Sequence, residues 1–248
     1  MPPNPIFVGI GGAGIRVVWG IRGPFRKLSI DTSGYIFNRR ILIEKIREVF
    51  GTLEKGSHLW LIFEDKEINI EIVEHIIDST PSDVIRLAYI LSPGKELVFE
   101  EKPPWALNFE TVFYDSLWEY LSGKEKKPLW QAYNEAAISL GDMFTKLYGY
   151  LAGNMLVNVD YADFLEMVRG GNVGILRLLQ RVDFEWHWGV WERGLINIMA
   201  GRGVPLRDVH EILRRFQEIL KEKDIIWGVR TDDGFKGLEI LALLVRKW

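Results

Sequence analysis

The chain has no cysteine and only four histidines among its 248 residues. The first absence excludes disulfide bonds and thiolate metal sites, and it suits a reducing cytoplasm. The second leaves few nitrogen ligands, so we expect no metal site. His187 stands between Trp186 and Trp188 in an aromatic segment that also holds Trp191. We interpret this cluster as core packing, with a partner-binding hot spot as the alternative.

Neither sign of charge is in excess, since 31 Lys and Arg residues stand against 34 Asp and Glu residues. The formal charge of −3 gives no reason to expect binding to nucleic acid or to an anionic membrane. No run of eighteen apolar residues occurs, and the N-terminus lacks a basic stretch followed by an apolar one. We therefore expect a cytoplasmic protein without a signal peptide and without direct membrane insertion.

Strand and helix patterns alternate through the first half of the chain. Short apolar runs predict strands at residues 6–10, 27–30, 59–63, 85–91 and 111–114, and helical spacing occurs at residues 41–50 and 68–77. Hydrophobic residues make up 48% of the sequence, which is enough for a sizeable core. The alternation predicts an α/β fold with a parallel sheet covered by helices on both faces.

A long helix follows these elements. It opens at Pro128, and its apolar residues keep helical spacing as far as Gly149 or Gly153. Beyond it, the pattern predicts strands at residues 195–199, 225–229 and 238–245 and a helix at residues 206–223. We expect a Rossmann-like nucleotide-binding-type half at residues 1–127, a central connecting helix at 128–153, and a loop with a small α+β domain at 154–248.

A glycine-rich turn joins the first predicted strand to its helix. The turn consists of Gly9, Ile10, Gly11, Gly12, Ala13 and Gly14 and satisfies the G-x-G-x-x-G pattern. Such glycines let the backbone approach a phosphate, which the N-terminal amides of the following helix attract. Asp31, about twenty residues on, stands where a dinucleotide-binding fold holds a ribose hydroxyl, which favours an NAD-type protein. The alternative is a turn kept only for close packing of strand against helix.

Two carboxylates and an amide fall close together after the long helix. Asn158, Asp160 and Asp163 lie on one short loop that runs into a helix start. Because aspartate accepts hydrogen bonds from orphan N–H groups there, a doubly capped helix is one interpretation. Both carboxylates are ionised at neutral pH, so orienting and polarising a water molecule is the other.

Three stretches of the chain resemble the FtsZ/tubulin superfamily. Residues 9–16, GIGGAGIR, are similar to its "GVGGAGNN", residues 158–163, NVDYAD, to its loop "NVDFAD", and residues 194–245 to its closing strands and helix. The resemblance covers nearly the whole chain and implies the fold of that family, with GTP or GDP at the glycine turn. It also implies that Asn158, Asp160 and Asp163 act on the nucleotide of the next subunit.

The chain departs from the family where phosphates and guanine would bind. The family's second glycine loop, GGGTGTG, is replaced after the third strand by Glu64-Asp65-Lys66-Glu67. At an effective dielectric of about 20, a carboxylate and a phosphate charge about 4 Å apart repel by roughly 4 kcal/mol, which would weaken nucleotide binding. The alternative is an ordinary helix with acidic cap residues, which also explains this sequence. Tyr133 stands where the family's Phe stacks on the base, but Ala137 cannot hydrogen-bond guanine.

These features predict a diverged FtsZ/tubulin-like cytoskeletal protein with impaired GTP binding and hydrolysis. We expect it to associate longitudinally with an FtsZ-like protein or with itself, and to modulate filament assembly or cell division. Any GTPase activity would then belong to the assembled state. The alternatives are an active self-polymerising GTPase and an NAD-type Rossmann oxidoreductase.

Overall fold

The computed structural model describes residues 5–92, 94, 101–153, 159–180, 191–220 and 224–248. The described residues form two compact units, one that extends as far as Thr145 and one that begins at Lys146. The division falls within the long helix. No helix in the described ranges has the length and apolar character needed to cross a membrane.

The first unit is built on five parallel strands in the order β2-β1-β3-β4-β5. Its elements are β1 (Ile6–Ile10), α1 (Gly11–Gly20), β2 (Arg26–Ile30), α2 (Tyr35–Phe50), β3 (His58–Glu64), α3 (Glu67–Ser79), β4 (Ile85–Ser92), β5 (Thr111–Ser116), α4 (Leu117–Leu121) and the start of α5 (Leu129–Ala152). Every residue of β1 is buried, which fits a parallel strand covered on both faces. The predicted α/β class and Rossmann-like sheet are confirmed.

The long helix α5 packs on this sheet through one aromatic side chain. The ring of Phe144 lies 5.1 Å from the rings of Trp60 and Tyr89 and 5.4 Å from that of Phe7, each in an edge-on arrangement. Edge-to-face contacts of this kind add to the energy of area burial. Strands β1, β3 and β4 are therefore anchored to the same turn of α5.

Helices α1 and α5 meet backbone to backbone. A Cβ atom added at Gly141 would lie 2.3 Å from the carbonyl carbon of Gly20, so neither position has room for a side chain. Next to this crossing, the Arg22 guanidinium is 3.0 Å from the Asp142 carboxylate, and the Arg22 N–H donates to Thr145 Oγ1 at 2.8 Å. These contacts fix where α1 ends on α5.

The second unit holds a mixed sheet in the order β6-β9-β7-β8. Its elements are the end of α5, α6 (Tyr161–Val168), β6 (Asn172–Leu179), β7 (Arg193–Gly201), α7 (Leu206–Leu220), β8 (Asp224–Asp232) and β9 (Leu238–Lys247). Strand β9 is antiparallel to both β6 and β7, whereas β7 and β8 are parallel and joined through α7. Glu239 of β9 joins this strand to the end of α5. Its carboxylate binds Lys146 Nζ and accepts from the Tyr150 hydroxyl at 2.9 Å.

Two elements of the structure have no counterpart among the sequence predictions, β6 and the short helix α4. Strand β6 is mostly apolar, apart from Asn172 and Arg177, and is buried over its first six residues, a pattern that periodicity alone does not distinguish from a buried helix segment. The segment between β4 and β5 also contains a 3-10 helix at Pro104–Asn108. The other predicted elements occur with ends that differ by several residues at most, apart from the helix predicted from residue 41, which begins at Tyr35.

Candidate functional site

The candidate site is the crevice where β1 and β3 end. All five strands of the first unit are parallel, so their carboxyl ends meet at one edge of the sheet. The chain leaves β1 toward β2 on one side, while β3 lies on the other side of β1, which makes this crevice the topological switch point. In open α/β sheets, ligands bind at this point.

Helix α1 presents its N-terminus to the crevice. It begins at Gly11, directly after β1, with no side-chain cap and no acidic residue in its first turn. The unpaired amides and the helix dipole give such an end about half a positive charge, which favours an anion. The phosphate contact at the glycine turn stays a prediction, and this helix start is the feature that it would use.

Packing explains most of the glycines in this turn. A Cβ at Gly14 would lie 2.0 Å from the Ile62 carbonyl oxygen, and one at Gly9 would lie 2.5 Å from the Gly14 carbonyl oxygen. Gly11 has a φ of +69°, which L side chains rarely adopt. At Gly12, which is exposed, a Cβ would meet no atom of the described residues within 4 Å. Close packing thus requires Gly9 and Gly14, backbone conformation favours glycine at position 11, and of the four glycines Gly12 alone is left for the approach of a ligand.

The opposite wall of the crevice is the turn between β3 and α3, and it is acidic. Lys66 Nζ lies 2.9 Å from Glu64 Oε2, while Asp65 and Glu67 are exposed. The N-cap of α3 is Lys66, without a side-chain cap, so only the first-turn Glu67 fits the expectation of acidic residues capping an ordinary helix. No glycine is present here to bring further amides toward an anion.

Asn69 ties this acidic turn to the glycine turn. Its Nδ2 donates to the Glu64 carbonyl oxygen at 2.9 Å, and its Oδ1 would lie 3.0 Å from a Cβ at Gly11. The side chain is 1% exposed, and its Oδ1 accepts no hydrogen bond within the described part of the chain. Sequence reasoning missed Asn69 because an asparagine in a first helical turn usually signals capping.

Strand β5 adds two polar side chains, Tyr114 and Asp115, near the carboxyl edge of the sheet. Burial, together with the negative charge of Asp65, raises the pKa of the Tyr114 phenol, which therefore stays protonated beside that carboxylate. The adjacent Asp115 is fully buried; it accepts from the Tyr89 hydroxyl, from Tyr120 at 2.8 Å and from the Ser116 amide at 2.8 Å. Sequence analysis missed this cluster, although a carboxylate directly after the apolar run of β5 could have indicated it.

The structure places Asp31 and Tyr133 at different parts of the first unit. Asp31 directly follows β2, and its exposed carboxylate accepts from the Ser33 amide at 2.9 Å, a bond that lowers its pKa. Tyr133 is half-buried on α5, one turn before Ala137. Ala137 is buried, and its carbonyl oxygen would lie 2.7 Å from a Cβ at Gly20, so α1 occupies this side of α5.

In the second unit, Asp160 and Asp163 form a reciprocal cap on α6. Asp160 Oδ1 accepts from the amides of Ala162 at 2.7 Å and Asp163 at 3.0 Å, while Asp163 Oδ2 accepts from the Asp160 amide at 2.8 Å. The capping interpretation is therefore realised, with one oxygen of each carboxylate engaged and Asp160 exposed to solvent. Asn158 lies outside the described residues, and the catalytic role of all three residues stays a prediction.

The choice between core packing and a partner-binding hot spot in the aromatic segment can be examined at Trp191. Trp191 is fully buried, as core packing predicts, whereas Trp186, His187 and Trp188 lie outside the described residues. Among the residues with described positions, no group of three or more His, Asp or Glu side chains is arranged to hold a metal ion.

No protein-family model and no curated protein matches this chain. Solved structures match it over almost its whole length. The FtsZ dimer of M. jannaschii has a TM-score of 0.66 and 15% identity, with 99% of this chain and 89% of that chain covered. CetZ from Methanosaeta thermophila has a TM-score of 0.64 and 12% identity, with 98% and 86% covered. The GTPγS-form protofilament of TubZ from Bacillus thuringiensis serovar israelensis has a TM-score of 0.64 and 9% identity, with 98% and 85% covered.

Proposed function

We propose that this chain, which has the FtsZ/tubulin-like fold, is a cytoskeletal subunit that docks on FtsZ-like subunits and modulates their assembly while binding GTP poorly itself. The fold is the one expected from the sequence, and identities of 9–15% to the matched structures fit a diverged protein. The proposal covers the partner, the weakened nucleotide site and a role in filament assembly or cell division.

The observation that carries this proposal is the asymmetry of the switch-point crevice. Helix α1 offers an uncapped N-terminus and an open Gly12, which suits one phosphate group. The facing turn offers Asp65 and Glu67 in place of amides, and within the described part of the chain only Glu64 has a lysine partner there. A triphosphate carries several negative charges, so its second and third phosphate groups would meet carboxylates at this wall.

The loop before α6 supplies the complementary half of the proposal. The α6 cap leaves Asp160 exposed, so its second carboxylate oxygen is available to an approaching neighbour. On that neighbour, the carboxylate would orient water toward a bound nucleotide. A subunit with this loop and a weak pocket of its own docks through one end and gives a poor surface for further growth at the other.

Two measurements test the proposal together. Calorimetric titration of the purified chain with GTP, GDP, ATP and NADH in the presence of Mg²⁺ should show weak or no binding. Addition of the chain to FtsZ from M. jannaschii should change the amount of FtsZ that pellets or the rate at which FtsZ turns over GTP. Tight Mg²⁺-dependent GTP binding by the isolated chain, or an FtsZ preparation that does not respond to it, contradicts the proposal.

A self-polymerising GTPase is the second candidate, and the intact glycine turn favours it. Gly11, Gly12 and the uncapped start of α1 retain what a first phosphate needs. Such a protein would hydrolyse GTP alone, with a specific activity that rises steeply with its own concentration. An NAD-type oxidoreductase would instead bind NADH, and Asp31→Ala would weaken that binding.

A further inference from the structure

The second unit has a sheet edge that an additional strand can extend. Strand β8 is the last in the order β6-β9-β7-β8, and among the described elements it pairs with β7 alone. In a parallel pair, alternate residues direct their N–H and C=O groups to one neighbour or the other. Every second residue of β8 therefore points its backbone groups away from β7, and such a row is a template for another chain.

A groove runs beside this edge, between β8 and α7. Ile225 and Trp227 of β8 and Leu213 and Gln217 of α7 line a cavity of about 230 Å³, together with His210 and Arg214. Ile225 and Trp227 are two residues apart, so they share one face of the strand. Trp227 is 38% exposed. A strand added to β8 would place alternate side chains over this groove, where an exposed tryptophan is the kind of residue that dominates binding energy.

The charges at the two ends of β8 indicate what binds there. Asp224 begins the strand and Asp232 ends it, and both are exposed. A second β8, paired in register in either direction, would set aspartate opposite aspartate, which destabilises a strand pair. A segment with basic residues at both ends would instead be attracted. The edge therefore disfavours self-association and favours a partner of opposite charge.

We propose that β8 and α7 form a docking site for an extended peptide segment of another protein, apolar at alternate positions and basic at both ends. Backbone hydrogen bonds to β8 would supply affinity, and the groove would select the alternate side chains. This interaction goes beyond the proposed function. The docking site lies in the second unit and the crevice in the first, so peptide titration and nucleotide titration report on them separately.

The test uses fluorescein-labelled peptides and fluorescence anisotropy on the full chain. The peptide KVTVTVK should bind about tenfold more tightly than EVTVTVE, since two rim ion pairs each contribute a modest energy. It should also bind better than KTVVVTK, which has the same composition without the alternation. Trp227→Ala should weaken binding of KVTVTVK at least tenfold.

Charge reversal and hydrogen exchange provide the decisive controls. The double variant Asp224→Lys/Asp232→Lys should prefer EVTVTVE, whereas Glu74→Lys/Asp78→Lys, with the same change of net charge in the first unit, should not. In the free chain, alternate β8 amides should exchange rapidly and become protected by KVTVTVK. Slow exchange of all β8 amides before peptide is added, absence of peptide binding, equal binding of the two charged peptides, or no effect of Trp227→Ala overturns the proposal.

Discussion

Neutralising the acidic wall of the crevice should increase the affinity for GTP. Asp65→Asn/Glu67→Gln removes two exposed carboxylates from the turn before α3 and leaves the Glu64–Lys66 ion pair in place. A carboxylate about 8 Å from a bound phosphate group is near enough to oppose its binding. At an effective dielectric of about 20, each unit charge then opposes binding by about 2 kcal/mol before screening by salt.

Screening reduces this figure, because the Debye length is about 8 Å at physiological ionic strength. About 1 kcal/mol remains for each carboxylate, so the double variant should bind GTP about 30-fold more tightly than the wild type. The assay is calorimetric titration with GTP and Mg²⁺ at two salt concentrations. The gain should be larger at the lower concentration.

Glu74→Gln/Asp78→Asn is the matched control. It removes the same charge from exposed positions of the same helix, and Glu74 lies about 10 Å further along the axis than Glu67 at a rise of about 1.5 Å per residue. Its effect on GTP affinity should be less than twofold. Equal affinities for the two double variants, or a wild type that already binds GTP as tightly as Asp65→Asn/Glu67→Gln, would refute the electrostatic argument.

The glycine turn, the α6 cap and the Lys146–Glu239 ion pair each supply a further test. Gly14→Ala should lower the free energy of unfolding by about 3 kcal/mol in urea denaturation because its Cβ meets a carbonyl oxygen of β3, whereas Gly12→Ala should change it by less than about 0.5 kcal/mol. Asp160→Ala should lower the free energy of unfolding by about 1 kcal/mol, measured by thermal unfolding. Asp160→Asn keeps the cap and should still abolish any stimulated GTP turnover by an FtsZ partner. A stimulated rate retained by Asp160→Asn would favour a purely capping role. Lys146→Met leaves the buried Glu239 carboxylate without its part-exposed cation and should cost about 3 kcal/mol, most of which Lys146→Met/Glu239→Leu should restore. Additive losses in the double variant would argue against coupling.

The sequence predicted local features of the fold well where one pattern dominated. The run Ile6–Ile10 followed by the glycine turn predicted β1 and α1, because a strand that ends in glycines before helical spacing has few alternative conformations. The cap at Asp160 and Asp163 was also among the interpretations, since their spacing of three matches the N-cap and N3 positions. In each case, the residues that carry the pattern are neighbours along the chain.

Other features depend on residues far apart in the sequence. That Gly14 is required by the carbonyl oxygen of Ile62, and that Asn69 lies against Gly11, follows from the pairing of β1 with β3. The buried Asp115 is stabilised by Tyr89, 26 residues away. No periodic pattern reports such contacts, since they arise only when separate elements pack.

The sequence by itself determined the α/β class, the long helix, the glycine turn and the acidic residues that follow β3, because these depend on side-chain type and local spacing. Only the tertiary structure decided that the glycine turn and the acidic turn face one crevice, and that β8 ends its sheet beside a groove. The order of strands in a sheet is set by long-range pairing and by burial of both faces, which one-dimensional spacing does not encode.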